Sequence, residues 1–224
     1  MRNYNMLYSH LCDNTDYVKH VNNMQGYTTI GVTDNILGNL IENAKLAEAT
    51  EIRLPYSYMD SCEKTLLNAS KNIYLIRKEL PDIDIMGVPT GRNLNEWLEC
   101  YVQLAKLDIK TIGITKEVDK LTMNGRKALL TMLYDEGLIF KILDYHLIEV
   151  IDTVGDIKAN AEDNPWIRSI DTSSVYSICE RFPYIPINNK TKVQNVKIDF
   201  NATPNIDINN ALNKGINRID GWVL

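Results

Sequence analysis

The sequence predicts an α/β fold, a single (β/α)8 TIM-like barrel spanning residues 1–224. Three observations predict it. Short β-like runs alternate with helical stretches along the chain, most of those runs end in a polar or glycine-containing turn, and no Gly/Ser/Pro-rich linker breaks the first 180 residues. Regular alternation of this kind gives a parallel sheet, and eight strands close the common α/β barrel. At 224 residues the chain is a little shorter than the ~250 typical of that barrel, so its connections must be lean. An open doubly wound sheet is the main rival, but the GxGxxG fingerprint is missing after the first strand.

The elements follow in order. Residues 4–8 read as a strand, with a helix over 16–22. A second strand covers 28–32. Leu40, Ile41, Ala44 and Ala47 then recur at helical spacing within 38–49. A third strand covers 51–54 and ends at Pro55. Asp60-x-x-Glu63 reads as a capping box opening a helix that Pro81 stops. The fourth strand covers 83–88, with Pro89-Thr90-Gly91 as its turn, and Asn93-x-x-Glu96 is a second capping box. The fifth strand covers 111–114. A helix over 123–134 ends near Gly137. The sixth strand is placed at 139–143, leading to Tyr145-His146, and a short helix follows at 149–159. The seventh is placed at 166–170, with a helix at 174–181. After a long loop at 182–196, the eighth is placed at 196–200, with a terminal helix at 207–214.

Composition is that of an ordinary globular protein, 45% hydrophobic and 24% charged. No apolar run approaches the roughly 20 residues that span a bilayer, and no secretory signal opens the chain. The expectation is a cytoplasmic protein without membrane contact, in the host cytoplasm if a phage encodes it. The abundance of Asn and Ile points to an AT-rich genome, such as that of a low-GC bacterium or its phage. Cys12, Cys62, Cys100 and Cys179 are widely spaced without a CxxC pair, which argues against a structural zinc site. The net charge of −5 argues against a surface that coats nucleic acid broadly. Two local basic groups, Lys116/Lys120/Arg126/Lys127 and Lys190/Lys192/Lys197, read as solvated faces.

In this barrel the site lies at the C-terminal strand ends. Reading those ends in order gives His10, Asp34-Asn35, Pro55-Tyr56, Pro89-Thr90-Gly91, Thr115, His146 and Asp171. Asp34 and Asp171 are far apart in sequence, yet a closed barrel brings both to one mouth. Two carboxylates at one mouth suit acid–base or nucleophilic chemistry at a sugar carbon. Each also has a structural explanation: Asp34 as a turn residue, Asp171 as a helix cap. Gly91 and Gly113 can let a flat ligand approach the backbone, or can serve a turn and a close contact. His146 can bind a substrate or be a hydrogen-bonded core histidine. Tyr56 and Tyr145 can stack on a base, although tyrosines at such spacing commonly just pack.

The ordered set Thr33-Asp34-Asn35, Ile52-Arg53-Leu54-Pro55, Ile85-Met86-Gly87-Val88-Pro89-Thr90-Gly91, Ile112-Gly113-Ile114, His146-Leu147 and Arg168-Ser169-Ile170-Asp171-Thr172-Ser173-Ser174 resembles the tRNA-guanine transglycosylase superfamily. The likeness is nearer to its phage and bacterial DNA-acting branch, which inserts 7-deazaguanine bases, and it covers roughly residues 28–175. The resemblance implies that Asp171 is the nucleophile at C1′ and Asp34 the acid–base group. It implies base-binding roles for Asn35, Thr90, Gly91, Gly113, Ile114, His146 and Arg168, with Thr90 in place of the family's Gln. Tyr56 stands where the family has an Asp that reads the guanine edge; a carboxylate accepts two hydrogen bonds, whereas a tyrosine offers one hydroxyl and a ring face. The family's CxCxxC…His zinc motif is absent, so the barrel is expected to lack the zinc subdomain, no metal or cofactor is expected, and tRNA is a poor substrate. The expected partners are DNA and a free modified purine base. A nucleoside or nucleotide N-glycosidase, and a non-catalytic base- or nucleotide-binding phage protein, remain open alternatives.

Overall fold

A computed structural model of the chain describes residues 4–23, 26–31, 38–58, 60–149 and 164–170. Seven strands form one sheet in sequence order, and every neighbouring pair is parallel. The strands are β1 (Tyr4–Tyr8), β2 (Tyr27–Gly31), β3 (Glu51–Arg53), β4 (Asp84–Gly87), β5 (Thr111–Ile114), β6 (Asp144–Leu147) and β7 (Ser169–Ile170). The first five crossovers each carry a helix: α1 (Thr15–Asn22), α2 (Gly38–Leu46), α3 (Cys62–Glu79), α4 (Leu94–Leu104) and α5 (Gly125–Asp135). The expected eighth strand, the helices at 174–181 and 207–214, the loop between and the second basic group lie outside the described residues. So does nearly all of the helix expected at 149–159.

In-register partners in a parallel sheet share a face. The series Leu7, Ile30, Ile52 and Ile85 forms one row, and Ile112–Tyr145 and Ile114–Leu147 continue it. All of these are buried, packed with Leu40, Ile73, Trp97, Leu104 and Leu129 from the helices. That convex face is the main core. The opposite row is Thr29, Glu51 and Asp84, then Met86, Thr111 and Asp144, then Gly113, His146 and Ser169. This concave face is mostly polar.

The concave face is curled. Arg168, just before β7, forms an ion pair with Glu51 of β3 at 3.1 Å, and its guanidinium lies 4.5 Å from the ring centre of Tyr27 in β2. Strands stand about 4.8 Å apart, so in a flat sheet β7 and β3 would be roughly 19 Å apart. Two side chains do not bridge that distance unless the sheet rolls up. The result is a half-barrel. β1 and β7 are its edges, and among the described residues no ladder joins them.

Caps set the helix starts. Ser61 caps α3, accepting from Lys64 N at 3.3 Å; Asp60, the expected cap, instead pairs with Lys64 Nζ at 2.8 Å. Asn93 caps α4 as expected, accepting from Glu96 N at 3.0 Å. Glu96 turns to Arg92 and to Cys62 N, at 3.2 Å, tying the start of α4 to the start of α3. Gly137 ends the α5 turn with φ of 66°.

Two strand placements differ from expectation. The sixth strand is Asp144–Leu147, and residues 139–143 are a connection. Ile139 and Phe140 pack onto the core from that connection, while Ile142 is exposed. Pairing with β5 selects the more polar stretch, because Asp144 and His146 face the polar interior. The seventh strand shortens to Ser169–Ile170.

Candidate functional site

The C-terminal ends of β3, β4 and β5 meet at one cleft. β3 runs out through Leu54-Pro55-Tyr56, β4 through Val88-Pro89-Thr90-Gly91, and β5 through Thr115 into a 3-10 turn, Lys116–Lys120. The cleft is lined by Tyr56, Tyr58, Thr90, Gly91, Thr115 and Glu117, among others. Of the residues expected at the strand ends, Tyr56, Pro89, Thr90, Gly91 and Thr115 therefore come together. The cleft is open to solvent, and its free volume is about 20 Å3, room for about one water.

Each lining residue has a local reason for its position. The Thr90 hydroxyl bonds the Thr65 hydroxyl and donates to Asp60 O at 3.2 Å, which holds the β4 turn against the start of α3. Gly91 lies so close to α4 that a Cβ there would sit 2.4 Å from Trp97 N. Close approach of backbone, rather than a left-handed turn, demands glycine. Tyr56 packs against Met86, Val88 and Ile148, a small apolar cluster under the mouth, and the Arg53 guanidinium lies 5.6 Å from its ring centre.

The other expected residues are placed differently. Gly113 faces the interior, and a Cβ there would meet Ile148 Cδ1 at 2.6 Å and Met86 Sδ at 3.0 Å. The space above it is filled by side chains of the apolar cluster. The Ile114 side chain is buried in the convex core, and its carbonyl accepts from Arg126 Nη1 at 3.2 Å. His146 was expected beyond a strand end; it lies within β6, fully buried, with Nδ1 2.9 Å from Ser169 Oγ.

Arg168 turns away from the cleft. Its guanidinium contacts residues that begin strands: Glu51 at 3.1 and 3.4 Å, Thr111 Oγ1 at 3.0 Å and Asp144 Oδ2 at 3.4 Å. Thr29 donates to Glu51 at 2.6 Å, and Thr111 also donates to Glu51. Tyr27 donates to Asp84. Burial, with Glu51 and Asp84 beside it, pushes the Tyr27 phenol pKa far up. The N-terminal end of the half-barrel is thus plugged by a buried charge network. In barrels of this class that end serves stability.

Asp34, Asn35 and Asp171 lie outside the described residues. In sequence, Asp171 immediately follows the last residue of β7, and Asp34 comes shortly after β2 ends at Gly31.

One residue of the cleft escaped the sequence reading. Glu117 lines the cleft, and its Oε2 is buried without a hydrogen-bond donor among the described residues. Its signal was position, just past the β5 end. Cys62 and Cys100 are both buried as free thiols. Burial pushes the Cys100 pKa up to about 12, which leaves it an unreactive thiol at neutral pH. Among the described residues, no cluster of three His, Cys, Asp or Glu is placed to hold a metal ion, and no helix is long and apolar enough to cross a membrane.

No family model matches the chain, and no curated protein matches it significantly.

Proposed function

We propose that this protein is a base-exchange transglycosylase that replaces a guanine in DNA by a 7-deazaguanine-type base. The observation that carries the reading is the convergence of Tyr56, Thr90 and Gly91 on one cleft at the C-terminal strand ends. That is the end at which a curled parallel α/β sheet holds its chemistry. The resemblance of the ordered motifs supplies the reaction.

The Asp171 carboxylate attacks C1′ as the glycosidic C1′–N bond breaks. The departing guanine takes the bonding pair, and Asp34 supplies its proton. Positive charge grows on the sugar, which a carboxylate stabilises and then captures as an ester. The incoming base gives its ring N–H proton to Asp34, its nitrogen attacks C1′, and Asp171 leaves as carboxylate. The target guanine must first leave the stack, at a cost of a few kcal/mol in duplex DNA and less in a single strand.

The test is a covalent adduct. Incubation with guanine-containing DNA should yield a protein–DNA species stable to denaturation, and Asp171→Ala should abolish it. An undiminished adduct removes Asp171 from the nucleophile role. The net charge of −5 favours one second reading, a nucleotide N-glycosidase that uses water as acceptor. Free base released from nucleotides, with none exchanged into DNA, would establish that reading instead.

A further inference from the structure

We infer that the outer face of α3 is a docking surface for a second copy of this chain, which lays its own α3 against it in antiparallel register. Cys62, Thr65, Ala69, Ile73 and Ile76 turn one side of α3 into the core. Leu67 and Tyr74 stand on the opposite side, 69% and 71% exposed. At about 100° per residue, a spacing of seven brings them to within roughly 20° of one line along the helix. A lone exposed apolar side chain needs no account. Two on one line form a ridge, and among the described helical residues these are the most exposed large apolar side chains.

Charge frames the ridge. Glu63 comes four residues before Leu67 and Lys78 four residues after Tyr74, so both fall on the same face. Both are exposed, and neither forms an ion pair with a described residue. Other charges beside the ridge are already paired, Lys64 with Asp60 and Arg77 with Asp108. From its N-terminal to its C-terminal end the face thus reads acid, leucine, tyrosine, base.

That order is self-complementary. A two-fold axis midway between Ser70 and Lys71 sets Leu67 against Tyr74 of the second copy and Glu63 against Lys78 of the second copy. The same two contacts recur on the other side of the axis, as an isologous interface requires. Lys71 falls opposite Ser70. A parallel pair would instead set glutamate against glutamate and lysine against lysine. The face matches itself, which is why its occupant is another copy. Its two ends are roughly 22 Å apart along the helix, so both charge pairs form only at a shallow crossing of about 20°. One helix pair buries less than the roughly 1,200 Å2 of a standard stable interface. The dimer is therefore weak, with a dissociation constant on the order of 10–100 µM.

The experiment is sedimentation equilibrium of the full chain from about 1 µM to about 500 µM, a range over which mass action fills a weak dimer. Wild type should pass from monomer to dimer. Leu67→Glu and Tyr74→Lys, which put charge on the ridge, should each weaken the dimer at least about tenfold. Glu63→Lys and Lys78→Glu should each weaken it about threefold to tenfold, since exposed ion pairs are individually modest and two are lost. The double variant Glu63→Lys with Lys78→Glu should regain wild-type affinity, because each lysine again meets a glutamate. Circular dichroism melts check that the variants fold. A wild type that stays monomeric throughout overturns the inference. So does a dimer indifferent to L67E and Y74K, whose interface lies elsewhere. A folded double charge swap that dimerises no better than its singles overturns the antiparallel register. None of these outcomes depends on the proposed base exchange.

Discussion

Gly91 shows how a residue is chosen by its surroundings. The β4 turn lies against the first turn of α4, where a Cβ on residue 91 would stand 2.4 Å from Trp97 N and 2.8 Å from Trp97 Cα. Neither atom can yield without moving the helix. Gly91→Ala should therefore destabilise the fold by about 1–3 kcal/mol, the usual cost of overpacking. Urea denaturation reads this directly, and an unchanged midpoint would show that the turn shifts freely. Because Gly91 also lines the cleft, the same variant should weaken base binding. Thr90 beside it was legible as a strand-end residue. Its commitment to Thr65 was not, because 25 residues of chain separate the two hydroxyls.

At the scale of elements, capping chemistry was readable where it is local. Asn93 and Glu96 start α4 as their spacing predicts, since an N-cap needs only neighbours in sequence. Asn93→Ala should cost about 1 kcal/mol in urea denaturation. Glu96 has a second role that spacing does not reveal, because it bonds the start of α3. Arg92 holds its carboxyl at about 2, below the ~4.3 of an unfolded-chain glutamate. A depressed folded-state pKa gives stability that is complete above the unfolded value and is lost as pH falls toward the folded one. The stability difference between wild type and Glu96→Gln should thus be open at pH 7 and close between about pH 4.3 and about pH 2. A difference that is flat across this range would mean that Glu96 acts without its charge. The strand at Asp144–Leu147 marks the limit of element-level reading. Residues 139–143 are the more apolar run, but the partner strand β5 selects the segment that places Asp144 and His146 inward.

At the scale of the whole molecule, the charge network at the N-terminal end holds the sheet in its curl. Arg168 and Glu51 are nearly inaccessible, with side-chain exposures of 6% and 0%. Removing one partner of a buried pair leaves the other unpaired, at about 3–5 kcal/mol, whereas replacing both by apolar groups is often far milder. Arg168→Met should therefore destabilise strongly, and Arg168→Met with Glu51→Leu should recover much of the loss. A double-mutant cycle by thermal or chemical denaturation tests this. Additive losses would show that the two side chains do not depend on each other.

The sequence by itself determined the α/β class, the alternation of strands and helices, the bounds of β1 and β5, and the strand-end turns that carry Tyr56, Thr90 and Gly91. Those features rest on periodicity and turn chemistry, which are local. The tertiary structure alone decided that Arg168 faces Glu51 rather than the cleft, that side chains fill the space over Gly113, and that Glu117 lines the same cleft as Tyr56. Each of these depends on how strongly the sheet curls, because curling decides which residues distant in sequence share one interior.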